Sequence, residues 1–78
     1  MKHNNEKARV LNDIKQFGKK IKKHSDGPVK EMAMRYAGDA KFFLQNNDVF
    51  TAWGCINYAF GLIDAELEYA NNKKIKKT

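Results

Sequence analysis

The sequence predicts an all-α fold, an antiparallel up-and-down three-helix bundle, on three observations. Apolar residues recur at three- and four-residue spacing in three stretches. Two short polar breaks, Ser25-Asp26-Gly27-Pro28 and Asn46-Asn47-Asp48, separate those stretches. The run from Asp39 to Ala65 is dense in apolar and aromatic residues and is interrupted only by the second break, which reads as a helical hairpin with a large buried face. Neither break exceeds about four residues, so consecutive helices are expected to lie side by side and antiparallel. The 78 residues make one domain, placed at 1–72, with a basic tail at 73–78. A domain this small hides only about 60% of its unfolded surface, so its stability margin is thin.

The first helix is expected over about 4–24. Val10, Ile14, Phe17 and Ile21 form its stripe, with Leu11 and Gly18 beside them. The stripe is narrow and lysines cover the rest, so this helix has one face to bury. Gly27 suits the end of a helix and Pro28 the first position of the next, where its missing N–H costs nothing. The second helix is expected over about 28–45. Val29, Met32, Ala33, Tyr36, Ala40, Phe43 and Leu44 fall on its inner side, while Met34 and Phe42 point elsewhere. The asparagines of the second break tolerate the left-handed backbone that stops a helix. Asp48 then caps the third helix, expected over about 49–71.

That third helix carries two apolar seams. Ala52, Ile56, Ala59, Ile63 and Ala70 form one, flanked by Trp53, Phe60 and Leu67; Cys55, Tyr58, Leu62, Ala65 and Tyr69 form the other. Together they wrap past half the circumference, whereas a surface helix needs an apolar arc of only about 100°. Either this helix is wedged between the other two, or its second seam packs on another copy of the protein. The second case predicts a homodimer through helix 3. Gly54 and Gly61, seven residues apart, are expected to permit close helix–helix approach.

The net charge of +6 is unevenly placed. Residues 1–28 carry eight cations against three anions, residues 29–72 three against six, and residues 73–78 four lysines. Thirteen of the fifteen cations are lysine, whereas bidentate phosphate recognition favours arginine. The charge is read as a solvated surface, with weak, salt-sensitive, non-specific nucleic-acid attraction as the sharper alternative. No run approaches the roughly 18 apolar residues of a membrane span, and the N-terminus lacks the apolar block of a signal peptide. Cys55 is the only cysteine, so no internal disulfide forms. A cytoplasmic location without membrane association is expected.

Chemistry is sparse. His3, His24 and the single cysteine make no zinc spacing, and no glycine-rich phosphate loop is present. No catalytic residue, metal site or cofactor is expected. The polar residues within the apolar block are the only candidates for a site. Tyr36 and Asp39 lie three apart on the second helix; Asn57 and Asp64 lie seven apart on the third. Facing each other across the hairpin, these four would form a buried latch fixing helix register, or a shallow ligand site. A latch predicts that Asp64→Ala and Asn57→Ala each cost about 1–3 kcal/mol.

The run from Tyr36 to Ala65 resembles a small archaeal family, domain of unknown function 357. The resembling elements are Tyr36 with Asp39-Ala40, the Phe42-Phe43-Leu44 run, the turn ending at Asp48, Thr51-Ala52, Gly54-Cys55, Asn57-Tyr58-Ala59 and Gly61-Leu62 with Asp64-Ala65. The resemblance implies a three-helix bundle and supplies no activity or substrate. The expected function is therefore a non-enzymatic protein-interaction or self-association module. A nucleic-acid accessory protein using its basic termini comes second, and an enzyme or ligand-binding protein built on the four polar residues third.

Overall fold

The computed structural model describes the backbone of residues 2–77 and the side chains of residues 5–71. Three helices follow one another: α1 (Lys2–Ile21), α2 (Pro28–Gln45) and α3 (Val49–Lys77). They pack as a three-helix bundle in which α2 and α3 form the most intimate pair and α1 lies across both.

The stripe expected on α1 is the one buried: Val10, Ile14, Phe17 and Ile21 all enter the core. The helix stops earlier than the expected residue 24. Lys23 N–H donates to Lys20 O at 3.2 Å and His24 N–H to Ile21 O at 3.1 Å, three-residue steps that tighten and end the coil. Gly27 then takes φ 156° and ψ −178°, a region open in practice only to glycine. Pro28 starts α2, and the first intrahelical bond runs from Glu31 N–H to Gly27 O at 3.0 Å.

The α2–α3 turn follows from its two asparagines and its aspartate. Asn47 adopts the left-handed conformation, φ 64°. Asp48 N–H donates to Phe43 O at 2.8 Å and Asn47 N–H to Leu44 O at 3.1 Å, the paired bonds of a Schellman ending. The Asp48 carboxylate then accepts from Thr51 N–H at 3.2 Å and caps α3.

Alanines set the spacing of the hairpin. Ala33, Ala37 and Ala40 of α2 and Ala52 and Ala59 of α3 are buried together with Leu44, Ile56 and Ile63. Short side chains let the two backbones come close, and the large side chains of α1 roof the seam. Phe17 meets Phe60 edge-on, with ring centroids 5.4 Å apart. This corrects two expectations. Met32 is exposed and Ala37 takes the core position instead. Among the described residues Gly54 and Gly61 do not mediate packing: both are exposed, and a Cβ at either would meet no atom within 4 Å.

The 29 residues of α3 outrun the 18 of α2 by about 16 Å at 1.5 Å per residue. Ala70, expected on the inner seam, is therefore exposed. The backbone of α3 stays helical to Lys77, through the segment set apart as a basic tail at 73–78. The side chains of that segment, like His3, lie outside the described residues.

Candidate association surface

The four polar residues do not come together. On α3 they and the apolar seams occupy different flanks. Phe60 and Asp64 face α1: Lys20 Nζ reaches Asp64 Oδ1 at 2.6 Å and lies 5.8 Å from the centre of the Phe60 ring. Asn57 is exposed and donates to its own helix, Nδ2 to Trp53 O at 2.9 Å. Tyr36 approaches α3 from the opposite flank and packs on Tyr58, with ring centroids 4.5 Å apart. Asp39 is exposed beside it. The expected latch is corrected on geometric grounds. At 100° per residue Asn57 and Asp64 point well away from Tyr58, the residue that meets α2.

A polar clasp does exist, at residues not singled out as a site. The His24 side chain is only 4% exposed, and its Nε2 lies 2.5 Å from Glu66 Oε1. A carboxylate can only accept, so Nε2 carries the proton. Lys30 Nζ donates to His24 O at 3.1 Å and so ties the α1–α2 loop to α2. The signal was present in the spacing. His24 follows Val10, Ile14, Phe17 and Ile21 in the same alternation of four and three, which makes it the fifth inward position of that stripe.

The second seam of α3 is partly absorbed by the hairpin. Cys55 and Leu62 are half-buried and pack against the core, whereas Ala65 and Tyr69 are exposed. Burial pushes the Cys55 thiol up from its ordinary value, and the nearby carboxylates of Asp39 and Asp48 push the same way, so it remains a protonated thiol. Among the described residues, no three or more His, Cys, Asp or Glu side chains converge as metal ligands would.

What stands out instead is the outward side of α3. From Val49 to Ile63 the helix holds no charged residue, in a chain of which 31% is charged. Phe50 is 81% exposed, Trp53 52% and Tyr58 51%. Phe50 and Trp53 stack with centroids 6.3 Å apart. Together with Val49, Val10, Glu6, Arg9 and Asp13 they line a cleft of about 430 Å³ between the N-terminal halves of α1 and α3. The solvent side of α1 and the turn after it are the reverse, with Lys15 and Lys19 and then Lys22 and Lys23 exposed.

Fold and surface together define a small all-α bundle that presents an aromatic, uncharged helix face. The chain belongs to the DUF357 family, described as a protein family of unknown function, whose model matches residues 3–71. No curated protein and no solved structure matches it. Among the described residues, no helix is long and apolar enough to cross a membrane.

Proposed function

We propose that this protein is a non-enzymatic protein-interaction module and that the outward face of α3 is its working surface. One observation carries the reading: Phe50, Trp53 and Tyr58 are half or more exposed on a helix segment without a charge. Large apolar groups left in water on a small domain are a solubility liability unless something covers them. The seam first expected to self-associate, Cys55, Tyr58, Leu62, Ala65 and Tyr69, contributes its outer members to this surface. Its inner members, Cys55 and Leu62, serve the monomer. A cytoplasmic setting fits the lone thiol.

A second reading rests on the exposed lysines of α1, which would draw nucleic acid weakly and without sequence preference. Photo-crosslinkers placed at Trp53 and, separately, at Lys19 in the native cell distinguish the two. The association reading expects protein adducts from position 53 and few from position 19. Nucleic-acid adducts from position 19, with none of protein from position 53, would reverse the order.

A further inference from the structure

The two glycines on the same face make the surface more specific. At 100° per residue Phe50, Trp53, Gly54, Asn57, Gly61 and Asp64 fall within an arc of roughly 100°. All six are exposed. A glycine inside a helix destabilises it by about 0.5–1 kcal/mol relative to alanine. Among the described residues nothing uses the missing Cβ at either position, since no atom stands within 4 Å. Gly18 and Gly38 are equally open, but neither sits among exposed aromatics on an uncharged helix segment. A pair of glycines on an aromatic face makes a surface that another backbone can approach closely.

We infer that the occupant of this face is α3 of a second copy, crossing antiparallel about a two-fold axis near Asn57 and setting Gly54 of one copy against Gly61 of the other. The inference rests on the association reading above. The face is complementary to itself only in that sense. Its N-terminal half is bulky, with Phe50 and Trp53; its C-terminal half is small, with Gly61 and Ala65. Antiparallel pairing lays each bulky half over a small one. Parallel pairing would stack aromatic on aromatic and leave the glycines facing a gap. The reversed helix also opposes the two macrodipoles. The area is adequate for a reversible dimer. At roughly 150–250 Å² per aromatic side chain, the exposed fractions of Phe50 and Trp53 present about 200–330 Å² per copy. That is about a quarter to two fifths of the roughly 800 Å² per partner of a standard interface, with the helix around them adding to it, which fits a weak contact.

Sedimentation equilibrium from low micromolar to millimolar protein tests the contact, and single cysteines in a Cys55→Ser background test its register. The wild type is expected to dimerise reversibly, and Trp53→Lys to weaken the dimer by at least about tenfold with helicity unchanged. Asn57→Cys, beside the axis, should oxidise to a linked dimer. Phe50→Cys should link efficiently only when mixed with Ala65→Cys. Lys19→Cys should link in neither case. A wild type that stays monomeric at millimolar concentration overturns the inference, as does a dimer that Asn57→Cys does not link and Trp53→Lys does not weaken. Protein adducts from a crosslinker at position 53 in that event would leave the association reading standing and remove only the second copy as its occupant.

Discussion

The two faces of α3 use small residues for different ends. Inward, Ala52 and Ala59 alternate with Ile56 and Ile63, are fully buried and bring α2 close. Outward, Gly54 and Gly61 stand in open space between half-exposed aromatics. The inner face spends its small residues on contacts within the chain. The outer face keeps still smaller ones where the monomer gains nothing from them. A small residue in an apolar helix therefore does not by itself mark a contact within the chain.

The sharpest way to break this comparison is to truncate one aromatic on each side. Phe17→Ala removes the ring that α1 sets against Phe60 and should cost about 3–5 kcal/mol, enough to unfold much of a domain this small. Trp53→Ala should change the stability of dilute protein by no more than about 0.5 kcal/mol. Similar losses in thermal denaturation would mean that the outer face belongs to the core. Next comes the inner alanine: Ala59→Leu forces the helices apart and should cost about 1–3 kcal/mol. Glu66→Ala leaves the buried His24 N–H without its partner and should cost about as much, about 1–3 kcal/mol. Asp64→Ala, whose pair with Lys20 is solvent-exposed, should stay within about 1 kcal/mol in urea titrations.

The smallest effect concerns Cys55. Its folded thiol titrates above the value it has in the unfolded chain. A thiol is neutral when protonated, so this contribution to stability is fully present below the unfolded value. It is lost as pH rises through that value toward the folded one. Native protein should accordingly alkylate more slowly than urea-unfolded protein in mildly alkaline buffer. Equal rates would show a thiol that neither burial nor Asp39 and Asp48 affects.

Much of the fold could be read from residue order because its signals are local. The break at Gly27-Pro28, the asparagine stop at Asn47 and the cap at Asp48 act over a few residues, and each sits where expected. The α1 stripe was equally plain from its spacing. What failed needed to know which neighbour lies on which flank. Tyr36 and Asp64 are both on the hairpin, yet one meets α2's side of α3 and the other meets α1. Helical periodicity gives the angle between two residues on one helix. It does not give the position of the third helix, and the expected polar latch depended on that. The exposed glycines escaped for the same reason: spacing suggested a close helix–helix approach and could not show that neither α1 nor α2 comes near them.

The central claim is that the outer face of α3 is shaped for association at the monomer's expense. Gly61→Ala tests it most directly when the melting temperature of dilute protein and the dimer dissociation constant are measured on the same preparation. The account predicts opposite movements: a monomer stabilised by about 0.5–1 kcal/mol, because the new methyl meets only open space, and a dimer weakened because that methyl holds the two helices apart. A variant that gains stability and associates as well as the wild type, or that loses stability as a monomer, would contradict it.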